Sequence, residues 1–142
     1  MTKFLLLALG LCSLTACAGQ QPVMTKPLLQ ATFAGQQVSL IDTQGRCTLA
    51  RPGNAPLSLD MQWPCRFSED AQQNVRVERF RQAQIIMVEH IERVPAPGKG
   101  CTTDLQPIRA LNGKLEVAPV SRLPVCGPGQ WDQKAFVWQF DW

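Results

Sequence analysis

The chain has 142 residues, 45% of them hydrophobic and 18% charged, with a formal net charge of +3 at neutral pH. That length suits a single domain with a modest core. The charge is too small and too scattered to argue for a nucleic-acid partner, and no charge block or low-complexity tract marks a disordered arm.

Residues 1–16 carry the parts of an export signal. Lys3 supplies the positive start, and Phe4 to Leu11 form an apolar run too short to cross about 30 Å of hydrocarbon as a helix. The run closes on Leu14-Thr15-Ala16-Cys17 instead of an A-x-A-like site. This pattern resembles the lipobox of bacterial lipoproteins, and the resemblance covers only residues 1–17. It implies cleavage between Ala16 and Cys17, diacylglycerol on the Cys17 thiol, and acylation of the new amino terminus. Ala18, where lipoproteins kept at the inner membrane tend to carry Asp, is similar to those sent to the outer membrane. Each buried CH₂ contributes about 0.8 kcal/mol, so two or three acyl chains hold a protein on a bilayer where one does not. The first expected partner is therefore the bilayer itself, through Cys17, with the domain in the periplasm.

Residues 17–30 hold two prolines and little periodicity, and read as a flexible tether. About a dozen extended residues reach up to about 40 Å. The folded domain is expected over residues 31–142. Cys12 leaves with the signal and Cys17 takes the lipid, which leaves Cys47, Cys65, Cys101 and Cys126. An exported domain with four cysteines and no C-x-x-C spacing points to two structural disulfides and away from a zinc site or a redox centre. Cys47 with Cys65 and Cys101 with Cys126 are the favoured pairs, because each brackets a segment that reads as adjacent strands.

Along the domain, Gln36–Ile41 and Arg46–Arg51 flank the turn-forming Asp42-Thr43-Gln44-Gly45, a hairpin signal. Arg51 to Pro56 is a breaker cluster. Leu57, Leu59 and Met61 then alternate with polar residues as in a strand with one buried face, which Pro64 interrupts. Ser68 to Asn74 turns the chain toward Val75, Val77 and Phe80. Within Arg81–Val94, Ile85, Val88 and Glu92 have helical spacing, whereas Ile85-Ile86-Met87-Val88 is the continuous run of a central strand; the strand is preferred. Pro95 to Gly100 is a loop. Asn112-Gly113 between Ile108–Leu111 and Lys114–Val117 predicts a two-residue type I′ hairpin. Phe136, Trp138, Phe140 and Trp142 follow at two-residue spacing, which in a strand puts all four rings on one face. The sum is a mainly β domain: a small antiparallel sandwich or barrel of about seven short strands, with room for one short helix.

Chemistry-bearing groups are sparse. His90 is the only histidine, and a strand aims the neighbouring Glu89 away from it, so neither a metal site nor a Ser-His-Asp triad is expected; no G-x-S-x-G elbow offers a nucleophile. Glu69-Asp70 and Glu89/Glu92 are the carboxylate pairs a glycosidase would need, but an exposed turn and a charged strand edge account for them. No catalytic residue, metal or cofactor is assigned. Core packing is the default role of the aromatic row, with Trp138 and Trp142 as partner-binding candidates at the end of the strand, because Trp and Arg are enriched among interface hot spots. Arg76, Arg79 and Arg81 form a basic cluster, either a solvated face or the charged rim for an acidic partner. These features lead to the expectation of a non-catalytic envelope lipoprotein whose domain binds a periplasmic protein, of the inhibitor or immunity type. An accessory subunit of an envelope or secretion complex is the alternative, and an envelope hydrolase the weakest one.

Overall fold

The computed structural model describes residues 28–127 and 129–142; the expected signal, Cys17 and most of the tether lie outside them. The described chain is two antiparallel sheets packed face to face, with one short helix on the outside. The first sheet runs β1 (Gln30–Phe33), β2 (Gln36–Thr43), β3 (Arg46–Ala50) and β4 (Leu57–Gln62), in that spatial order. The second is built on two long strands, β7 (Ala83–Arg93) and β8 (Cys101–Leu111), paired from Gln84↔Ala110 to Arg93↔Cys101. Two short strands, β5 (Arg66–Phe67) and β6 (Val77–Phe80), share the far edge of β7. Likewise β9 (Lys114–Val117) and β10 (Ser121–Leu123) share the far edge of β8.

Local chemistry explains the hairpins. Gln44 and Gly45 close β2–β3 with φ of 54° and 80°, and Asn112 and Gly113 close β8–β9 with 51° and 74°. Two successive positive φ angles give the turn whose twist matches the flanking strands. Asp42 steadies the first turn, its Oδ1 accepting from the Gly45 amide at 2.7 Å. The β1–β2 hairpin, with Ala34 and Gly35 at its tip, was not expected, because a four-residue strand before an Ala-Gly turn carries little pattern. Leu28 and Leu29 already belong to the fold. Their carbonyls accept from Phe67 N and Leu40 N at 2.8 Å each, which sews the two sheets together and draws residues 28–30 out of the expected tether.

The main core lies between the sheets. Phe33, Leu40, Leu49, Leu59 and Met61 from the first meet Phe67, Ile86, Val88 and Ile108 from the second. Gln106 is buried among them, accepting from Asp60 N at 2.8 Å and donating to Ala118 O at 2.9 Å. It caps an edge amide of β4 that would otherwise be stranded away from water. Both disulfides are as expected. Cys47–Cys65 staples β3 to the approach of β5, and Cys101–Cys126 ties the start of β8 to the loop after β10.

Strand β7 is buried on both faces, which is why its sequence reads as a continuous apolar run. Ile86 and Val88 point into the main core. Ile85 and Met87 point to the opposite face, into a second cluster with Leu105, Phe136 and Phe140. That cluster overturns the strand expected over Phe136–Trp142. Residues Gln133–Val137 form helix α1, begun by Asp132, whose side chain accepts from Ala135 N at 3.0 Å. The chain then bends, so Phe136 and Phe140, four residues apart, turn inward while Trp138 is 65% exposed and Trp142 39%. The physical reason is the apolar outer face of Ile85, Met87 and Leu105, which takes Phe136 and Phe140 from a segment that Asp132 starts as a helix.

Candidate binding surface

Segment 131–142 is fastened to the outer face of the second sheet by three anchors. Deepest is Glu89 on β7, fully buried and not at a charged strand edge as the sequence suggested. Its Oε1 accepts from Ser68 Oγ and, at 3.1 Å, from the Trp131 indole N–H, while Oε2 has no hydrogen-bond partner. Burial pushes the carboxyl above its usual range, against the opposing pull of those two hydrogen bonds and of Arg66. Gly127 permits the close passage of the loop overhead: a Cβ there would stand 3.0 Å from Ile91 Cδ1 and 3.4 Å from Glu89 Oε2.

The second anchor is Arg76. It was expected on a solvated basic face, but its Nη1 donates to the Trp131 carbonyl, its Nε to Glu78 Oε1 at 2.7 Å, and its guanidinium lies 4.8 Å from the Phe136 ring centre. Arg76 is thereby a structural tie and not a free rim charge. The third is Arg109, whose Nη1 donates to the Asp141 carbonyl at 2.8 Å while its Nε and Nη2 grip Glu116.

Around Trp142 these contacts build a platform. The indole N–H donates to the Val137 carbonyl at 2.8 Å, and its ring meets Phe80 edge-on at 4.7 Å and Phe140 at 6.1 Å. The guanidinium of Arg109 lies 4.8 Å from the Trp142 ring centre and that of Arg81 5.8 Å. Arg81 occupies the turn between β6 and β7 with φ of 52°, exposed and without an ion pair among the described residues. Of the five candidate contact residues, Arg81 and Trp142 are thus brought together. Trp138 is exposed and follows Val137, whose carbonyl holds Trp142. Arg79 is exposed on β6 but shares the face of Val77, opposite to that of Phe80 and Trp142, and Arg76 is withdrawn into the fold.

His90 and Asp104 are register partners on the inner face; His90 Nδ1 contacts the Pro64 carbonyl at 2.8 Å. Asp104 accepts from Arg122 Nε and Nη2 at 2.7 and 2.8 Å, which holds its carboxyl below the usual range. Asp70 caps its own turn, its Oδ1 accepting from the Gln72 and Asn74 amides, and Glu69 pairs with Arg66 at 2.6 Å. Sequence reasoning missed Arg109 and the anchoring role of Glu89, both of which depend on a segment more than thirty residues away. Comparison with protein-family models, curated proteins and solved structures found no match, so the functional reading rests on this geometry.

Proposed function

We propose that this protein is a non-catalytic lipoprotein of the cell envelope, held on the outer membrane through acylated Cys17, whose β domain binds a periplasmic protein through the platform at Trp142. The observation that carries the reading is the exposure of two tryptophans, 65% and 39%, on a segment tied to the sheet through Glu89, Arg76 and Arg109. A large apolar side chain left at the surface in a fixed rotamer loses little conformational entropy on binding, and that suits it to anchor an interface. The exposed cation Arg81 beside it favours an acidic partner and a salt-sensitive on-rate. An inhibitor or immunity role fits a small rigid domain of this kind; a permanent place in an envelope assembly would use the same surface.

The test is site-specific photo-crosslinking in intact cells, with the photoreactive residue at Trp138 and, as a control, at Gln44 on the β2–β3 turn. One protein adduct is expected from position 138 and none from 44. Adding Trp142→Ala should weaken capture by roughly thirtyfold, as loss of about 2 kcal/mol at a hot spot implies. Absence of an adduct at 138, or an adduct indifferent to Trp142→Ala, removes the reading.

A further inference from the structure

Beside the platform, where the β1–β2, β6–β7 and β8–β9 turns come together, the two sheets part over a groove of about 330 Å³. It adjoins the cleft at Arg81 and Trp142, Gln82 and Asn112 lining both. Phe33 and Val38 line its apolar part. The polar lining has an unusual composition: the carboxamides of Gln36, Gln82, Gln84, Asn54 and Asn112, one cation, Arg51, and no carboxylate.

Arg51 carries the chemical argument. Its Nη2 donates to the Ala55 carbonyl at 2.7 Å, but its Nε is shielded from solvent and has no hydrogen-bond partner. Among the described residues no carboxylate pairs with it. The guanidinium on the groove wall is thus a cation without a counter-charge, and an incoming anion can pair with it in charge-assisted hydrogen bonds. Carboxamides each offer donors and an acceptor, the complement of the N–H and C=O groups along an extended peptide. Gln84 is already oriented, its Oε1 accepting from Ala34 N at 3.3 Å across the gap between sheets.

We propose that this groove receives an extended acidic segment of the protein partner, with one carboxylate directed at Arg51 and the adjoining peptide groups paired with the carboxamides. The inference rests on the protein-binding reading and names the part of the partner that enters. A groove of this volume, at the lower end of ligand-pocket sizes, takes a few residues and not a whole domain.

The probes are N-acetylated, C-amidated Ala-Glu-Ala and Ala-Gln-Ala, titrated into the isotope-labelled full-length protein in detergent and followed by NMR. The Glu peptide is expected to shift the side-chain amide signals of Gln82, Gln84 and Asn112 and the Arg51 Nε–H, and to bind at least tenfold tighter than the Gln peptide. Arg51→Gln should abolish that preference and Arg51→Lys restore part of it. Gln82→Ala, at an exposed turn, should weaken binding severalfold with an unchanged melting temperature, which separates loss of the site from loss of the fold. Equal affinity for the two peptides, no shift at these signals, or stronger binding there by a neutral N-acetylglucosamine oligomer would overturn the proposal. If the adduct from Trp138 forms while the peptides fail, only the groove assignment falls; if both fail, the protein-binding reading falls with it.

Discussion

Trp131 donates its indole N–H to Glu89 Oε1 at 3.1 Å across 42 residues of sequence, fixing the segment that bears the tryptophan platform to the central strand β7. The bond joins a carboxyl buried within the sheet to the segment that Arg76, Arg109 and Phe136 also hold. Trp131→Phe keeps the ring and removes the donor. It should lower stability by about 1 kcal/mol in a denaturant titration and increase amide exchange selectively over 131–142.

The same carboxyl makes stability depend on pH in an uncommon direction. Glu89 has a folded pKa raised above 4.5, so the folded state holds its proton more tightly than the unfolded state does. Its contribution is full below that value and is lost as pH rises through the raised folded value. Glu89→Gln removes the titration. The stability difference, variant minus wild type, should therefore increase with pH above 4.5 and then level off, as read from melts across a pH series. A flat difference would mean that the carboxyl is not held in its protonated form by burial.

Asp104 works in the opposite sense. The hydrogen bonds from Arg122 keep its folded pKa below 3.8, so its stabilising effect is present above that value and disappears as pH falls through the depressed one. Asp104→Asn should be less stable than wild type at neutral pH and converge on it in strong acid. Because the Arg122 side chain is largely exposed, added salt should reduce the difference at neutral pH.

Phe136 fills the space between α1 and β7 and is fully buried. Phe136→Ala should cost about 3–4 kcal/mol and release the tryptophan platform, so that partner capture is lost together with the near-ultraviolet dichroism of the tryptophans.

The disulfides close spans of 18 and 25 residues, and removal of either pair by Cys→Ala should cost about 3 kcal/mol. Their local effects should differ. Loss of Cys47–Cys65 loosens the junction between sheets, whereas loss of Cys101–Cys126 frees the loop that leads over Glu89 to Trp131. For the amino terminus, Cys17→Ser should move the protein from the membrane pellet to the soluble fraction, with the expected lipid mass absent from its amino-terminal peptide.

The hairpin at Asn112-Gly113, the turn at Gln44-Gly45, the single buried face of β4 and the two cysteine pairings could all be read from the sequence, because each is set by neighbours a few residues apart or by loop closure between adjacent strands. The doubly buried run of β7 was readable for a related reason: a strand covered on both faces has no polar alternation to hide. The choice between strand and helix for 81–94 followed from that run.

Tertiary structure alone decided the rest. Alternation at Phe136, Trp138, Phe140 and Trp142 mimics a strand, yet Asp132 starts a helix and the apolar face of Ile85, Met87 and Leu105 needs cover, so two rings went inward and two outward. Glu89 and Arg76 look like surface charges until a segment over forty residues away covers them. Short-range pattern fixes which residues can form strands and turns; which charged groups lose their water depends on what finally packs over them, and that is a property of the whole fold.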